Sequence, residues 1–307
     1  MNVTKKIRRA LLLAAASMAG TATAQAPGGD YAASVIGAPP AEWKLDSFYK
    51  RYVDAVGIPI TSSAAVPDAA LLRARDIVTG MLIDRPDVRR VMIAQHIRVA
   101  ILGVQEGTVD LPEQRDWKKP TRDDPRLTIC ERKHYDERIG RLTDAQYWNG
   151  RARGTGGQLI SAGAENLLGI PGERYFGEHI FVHEFSHGIL SAVAVADPAL
   201  YARVERAYAA AAARGMWKGE YAMTTMQEYW AEGTQTWFNS NMQAVVDGQV
   251  ILNDADLLRY DPALYNVLSE VYGSNHHLSG DVFYMHPARV RPGAPAGAPP
   301  RATAEVC

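Results

Sequence analysis

The chain has 307 residues, of which 47% are hydrophobic, 22% charged and 8% aromatic; this excludes a disordered or fibrous protein and fits one ordinary globular domain or two small lobes sharing a core. Lys+Arg 33 against Asp+Glu 34 leaves a formal net charge of −1, with no basic field to hold a nucleic-acid backbone, so nucleic acid is not an expected partner. Two cysteines, Cys130 and Cys307, are too few for a disulfide scaffold or a Cys-ligated structural zinc, but enough for one staple.

At the N-terminus, Lys5, Lys6, Arg8 and Arg9 precede a largely apolar run over 10–19 and then Ala22-Thr23-Ala24. That order is the charged region, apolar region and small-residue cleavage site of a secretory signal, so 1–24 is expected to be removed and the protein exported, periplasmic or secreted. The apolar run falls short of the roughly 20 residues that span hydrocarbon, so no stable membrane anchor is expected after cleavage. Residues 25–42 are rich in Gly, Ala and Pro and read as a linker.

An N-terminal α/β lobe is expected over 43–126. Apolar residues recur at helical spacing over 43–56 and 69–83, with Pro67-Asp68 as a start signal and Arg85-Pro86 as a stop. The Val- and Ile-rich stretches 91–94 and 97–104 are short enough to be strands, and the polar stretch 106–126 reads as an exposed connection. The glycine-rich 151–157 lacks the Gly-Lys-Ser/Thr ending of a phosphate loop and reads as a mobile loop before a strand. Helical patterns follow over 198–214, 224–242 and 262–271, and a Pro/Gly/Ala-rich tail occupies 289–307. In an oxidising compartment Cys130 and Cys307 could pair and tether that tail.

The chemistry is concentrated in 127–288. His183-Glu184-Phe185-Ser186-His187 is an H-E-x-x-H motif inside a proline-free apolar stretch, 178–193. On a helix, residues four apart share a face, so both imidazoles can converge on one Zn²⁺ at about 2.0–2.1 Å, with Glu184 placed to take a proton from water. A second acidic helix carries Glu228 and Glu232, again four apart: one carboxylate can ligate zinc while the other accepts from an imidazole N–H. No histidine stands six residues after His187, where Val193 sits, and His179 lies roughly 12 Å along the helix from His187, too far to share the ion. His276 and His277 are substrate-site candidates from the C-terminal region. The stretch 158–168, with Gln158, Ser161 and Gly163, is a candidate edge strand that would receive an extended peptide by main-chain pairing.

These motifs resemble a gluzincin metallopeptidase, most closely the branch that contains anthrax lethal factor and the secreted Pro-Pro endopeptidases. The matching residues are His183, Glu184 and His187, then Glu228 with Ala231-Glu232 after it, and Tyr221 seven residues before Glu228. The resemblance covers about 158–238. It implies an α+β, zincin-like fold with a small mixed sheet, an active-site helix and a mainly helical C-terminal lobe. It further implies one Zn²⁺ held by His183, His187 and Glu228, Glu184 as general base, Tyr221 as electrophilic partner and Glu232 supporting the site from behind. The expected function is a secreted zinc endopeptidase acting on peptides or proteins, and no feature of the sequence specifies an oligomeric state. The alternative is a non-catalytic exported protein that keeps the fold to bind a surface or extracellular partner; every chemical group of the enzyme is nevertheless present.

Overall fold

The computed structural model describes residues 35–290, apart from 126 and 128. The expected signal segment 1–24, the tail from 291 onward and Cys307 lie outside the described residues; Cys130 is buried.

In chain order the elements are β1 (Arg51–Ala55), β2 (Ile58–Ser62), α1 (Asp68–Leu82), α2 (Pro86–Ala94), β3 (Arg98–Leu102), α3 (Ile129–Lys133), α4 (Asp144–Arg151), β4 (Gly154–Thr155), β5 (Leu159–Gly163), α5 (Ala164–Leu168), α6 (Ile180–Ala196), α7 (Pro198–Ala213), α8 (Met226–Trp237), β6 (Ala244–Val246), β7 (Gln249–Ile251), α9 (Asp254–Tyr260) and α10 (Pro262–Tyr272). The fold is mixed α+β. One five-stranded sheet has the order β1-β2-β3-β5-β4, in which β2, β3 and β5 run parallel and β1 and β4 are antiparallel edges. Strands from both sides of residue 126 therefore share one sheet. Among the described residues no helix is long and apolar enough to cross a membrane.

Two expected elements change type. Residues 43–56 are not a helix: after a short 3-10 turn at Ala41–Trp43 the chain extends into β1, which turns back into β2 through Val56 and Gly57, both at positive φ. Residues 91–94 are not a strand but the last turn of α2. Pro86, read as a stop, also opens the next helix, because its missing N–H costs nothing in a first turn and its fixed φ suits one. The connection 106–126 is less exposed than its polarity implies, since Leu111 closes a small cluster with Tyr49, Ala100 and Leu102.

Helix α6 lies at the centre of the main core. Phe181, Val182, Phe185, Ile189, Leu190, Ala192 and Val193 are all buried, and α6 packs against α2, β5, α7 and α8. A helix apolar on most of its circumference must be covered on most sides. The C-terminal helices are joined by one buried carboxylate. Asp261 is 2% exposed; it accepts from Leu264 N at 3.1 Å as the cap of α10, from Trp217 Nε1 at 2.9 Å and from the Tyr229 hydroxyl at 2.8 Å. Trp217 is held at φ +54, and its backbone N–H donates to the Tyr260 hydroxyl at 2.7 Å. The left-handed conformation of a bulky residue costs on the order of 1 kcal/mol and persists where the surroundings over-determine it.

Removing this carboxylate would leave two buried donors unpaired and a helix uncapped, at roughly 1–3 kcal/mol for a stranded donor and about 1 for the cap. Asp261→Ala is expected to lower the unfolding free energy by about 3–5 kcal/mol in urea titration. A loss below about 1 kcal/mol would show that Asp261 does not hold these helices together.

Candidate functional site

The site forms where α6 meets α8. Helix α6 starts at His179, whose Nδ1 accepts from Val182 N at 3.4 Å, and Asn166 Oδ1 accepts from Ile180 N at 2.8 Å. Helix α8 starts at Thr225, whose hydroxyl accepts from Glu228 N at 3.2 Å. Both helix starts are thus fixed by side-chain acceptors, and the functional groups sit within the first turns after them. Trp230 locks the two helices together by donating Nε1 to Ser186 O at 3.1 Å.

Glu228 meets both imidazoles: its Oε2 lies 2.9 Å from His183 Nε2 and 3.6 Å from His187 Nε2. The two rings stand 4.9 Å apart at 79°. One ligand atom from each of His183, His187 and Glu228 lies within 4.8 Å of the other two, so this trio could hold a metal ion. On the far side of His183, Nδ1 is 3.0 Å from Gln235 Oε1 and 3.4 Å from Glu232 Oε1. Glu232 Oε2 in turn accepts from Asn241 Nδ2 at 2.9 Å. Tyr221 stacks at 24° to the His183 ring with centroids 6.3 Å apart, and its side chain hydrogen-bonds Glu228.

Burial and mutual charge set the electrostatics. Glu184 is pushed up to about 7, first by burial and then by Glu228 and Glu178, against the opposing pull of His183. His187 is driven down to about 4 by burial and by the positive charge of His183. For His183 burial opposes the charged form, but its contacts with Glu228 and Glu232 outweigh that and hold it well above the ordinary imidazole range. Glu228 is disfavoured as an anion by burial, yet His183 keeps it below the usual carboxylate range. Burial, then Glu228 and Glu184, push the Tyr221 hydroxyl up, so it stays a proton donor.

Strand β4 and the residue that follows it form the wall beside α6, and the glycines there are what allow the contact. A Cβ on Gly154 would lie 2.7 Å from Ile180 Cγ2 and 2.8 Å from Glu184 Cγ; one on Gly156 would lie 3.0 Å from His187 Cβ. The strand is pinned ahead of these glycines by Arg153, which pairs with Glu165 at 2.6 Å and donates to the carbonyls of Gly103 and Glu106. Thr155 turns its hydroxyl to Ser161 Oγ at 2.8 Å and Gln114 Nε2 at 3.1 Å.

This corrects the expected edge strand. The edge next to α6 is β4, and β5 is hydrogen-bonded on both sides, by β3 and by β4. Ser161 is 1% exposed and bonded to Thr155, Gly163 pairs with Leu102, and Gln158 is engaged with Gln95 O and Arg98 N. Ser161, paired on both sides and buried, offers no free edge to a peptide. His276 packs 4.1 Å from the Trp237 ring and bonds Trp237 O at 3.1 Å, and His277 packs 4.0 Å from Tyr284. Both lie with the far end of α8 rather than with the His183 cluster. By contrast His183, Glu184, His187, Tyr221, Glu228 and Glu232 are brought together.

Four contributors were not expected. Gln235 was findable, because it continues the Glu228, Glu232 face at the next helical step. Gly154 and Gly156 gave only the ambiguous signal of a glycine-rich loop. Tyr175, whose hydroxyl is pushed up by burial and, less strongly, by Glu178 and Glu184, sits before α6 in a segment with no motif.

Comparison with protein-family models and with curated proteins finds no match. The chain is similar to a solved structure titled as the Pro-Pro endopeptidase PPEP-2 from Paenibacillus alvei, at 16% identity and a TM-score of 0.40, covering 65% of this chain and 90% of that one. The functional reading therefore rests on the side chains themselves.

The packing of β4 on α6 has a measurable sign. Gly154→Ala is expected to destabilise by about 1–3 kcal/mol through overpacking. Gly150→Ala, whose Cβ would meet nothing within 4 Å, is expected to be neutral or slightly stabilising. Urea unfolding of the two variants checks the pair; equal effects would mean that the approach of β4 to Glu184 is not tight.

Proposed function

We propose that the protein is an exported zinc-dependent endopeptidase of zincin-like fold. The observation that carries this reading is the convergence of His183 Nε2, His187 Nε2 and a Glu228 oxygen beside the half-buried carboxylate of Glu184. The donor set fits zinc chemically: two imidazoles and one carboxylate are the three-ligand complement of a catalytic site that keeps a position open for water or substrate. The N–H of His183 on the side facing Gln235 is already engaged, which leaves its other nitrogen for a metal. When bound, the ion would supply Lewis-acid polarisation of the scissile carbonyl and acidification of water.

The remaining steps belong to this chain's own residues. Glu184, with a proton affinity raised to about 7, is suited to take a proton from the attacking water and return it to the leaving amine. A carboxylate of ordinary acidity would take the proton less readily; burial supplies the difference. Tyr221 remains protonated, faces the same centre and is 39% exposed, so it can donate to the oxygen that gains charge as the peptide carbon becomes tetrahedral. Glu228 is held as an anion between the two imidazoles. The motif resemblance makes proline-rich peptides the first substrates to offer.

Glu184→Gln is expected to retain zinc, measured by elemental analysis, while turnover of a peptide library falls by about 10²–10⁴-fold. Tyr221→Phe should lower kcat by about 10²-fold with KM changed only a few-fold. Chelation should abolish cleavage and added zinc restore it. Cleavage by Glu184→Gln at the wild-type rate, or a mature protein that takes up no zinc, would sink the reading.

A further inference from the structure

We propose that Gln235, rather than Glu232, is the positioning residue that orients the His183 imidazole. The inference rests on the reading of His183 as a metal ligand, and the hydrogen-bond geometry around Gln235 carries it. Gln235 is fully buried on α8. Its Oε1 lies 3.0 Å from His183 Nδ1, and its Nε2 lies 3.1 Å from His179 O and 3.5 Å from Glu178 Oε1.

The two neighbours of the amide nitrogen are both pure acceptors, a carbonyl and a carboxylate. Flipping the amide would set its oxygen against both and turn its N–H groups toward the ring. The orientation is therefore determined: oxygen toward His183, nitrogen toward His179 and Glu178. An oxygen facing Nδ1 requires Nδ1 to be the donor, and this leaves Nε2 to face Glu228 and His187.

The same contacts fix the ring's rotation. His179 O accepts both from Gln235 Nε2 and from the backbone N of His183 at 3.3 Å. Gln235 thus spans from the His183 ring back to the turn of α6 that carries His183. Glu232 stands farther from Nδ1, at 3.4 Å, and one of its oxygens is taken by Asn241. A neutral acceptor also suits the place. Glu178, Glu184, Glu228 and Glu232, all half-buried, already stand around His183, and a carboxylate at the fully buried position 235 would add like-charge repulsion.

The test compares Gln235→Met, Gln235→Glu and Glu232→Gln with the wild-type mature protein by two readouts. The first is zinc affinity by competition with a chromophoric chelator. The second is the His183 Nδ1–H resonance in ¹⁵N-histidine-labelled, metal-free protein. Gln235→Met is expected to weaken zinc binding by about 10–100-fold and to shift or lose the resonance, with thermal unfolding showing that the fold is kept. Gln235→Glu keeps an oxygen facing the ring but sets its other oxygen against His179 O and Glu178, so its affinity should fall between those of wild type and Gln235→Met, whereas Glu232→Gln should stay within about threefold of wild type.

A folded Gln235→Met protein with wild-type affinity and an unmoved resonance would overturn the proposal. So would a tenfold or greater loss in Glu232→Gln, a result that decides the matter even if Gln235→Met fails to fold. If wild type binds no zinc, the functional reading fails, whereas a resonance that moves with Gln235 and not with Glu232 still supports the positioning role.

Discussion

A carboxylate taken out of water next to two imidazoles raises the energy of all three groups unless each finds a partner, and the partners must stay in place for the arrangement to persist. Here the condition is met by the packing of α6 on α8, which sets Glu228 2.9 Å from one imidazole and 3.6 Å from the other. The proton affinities in the cluster follow from burial together with these contacts. His183 is raised because its carboxylate contacts outweigh its burial, and His187 is lowered first by burial and then by a charged His183. Glu184 is raised because it is buried among other acids. A small increase in the spacing between the helices would loosen all of them together.

The rest of the molecule reads as support for that spacing. On one side α6 rests on β5 and on the glycines in and just after β4; on the other it is bonded to α8 through Trp230 and Ser186. Helix α8 is in turn held from behind, where Tyr229 reaches Asp261. Because Asp261 also takes the Trp217 indole, the segment leading to Tyr221 is anchored by the same carboxylate that secures α8. The hydroxyl-bearing turn and the helix bearing Glu228 therefore share one point of attachment.

Much of this was legible in the sequence where the signal is a repeat within one helix. The apolar spacing around His183-Glu184-Phe185-Ser186-His187 announces a buried helix with two imidazoles on one face, and Glu228 with Glu232 announces a second face of the same kind. What failed was information carried by pairing between distant segments. Residues 43–56 have apolar residues at a spacing that a helix would use, yet their β-strand exists because β2 pairs with it across an unusual Val56-Gly57 turn. The run 91–94 reads as a strand from its Val and Ile content and short length, but Pro86, read as an ending, is equally a beginning and opens the helix that includes it. Which strand stands at the sheet edge depends on the order β3-β5-β4, and a two-residue strand made partly of glycine has no periodicity to reveal it. Gln235 was missed for another reason: an amide has no charge to attract notice, although its position on the helix face was visible.

The glycines in and just after β4 have a wider consequence. Gly154, Gly156 and Gly157 carry no side chains, and the hydroxyl of Thr155 is tied to Ser161 and Gln114. The wall beside Glu184 and His187 is consequently bare peptide backbone. A side chain added at Gly154 or Gly156 would have to push against α6 rather than into solvent, so the distance from this stretch to Glu184 and His187 depends on what these two positions lack.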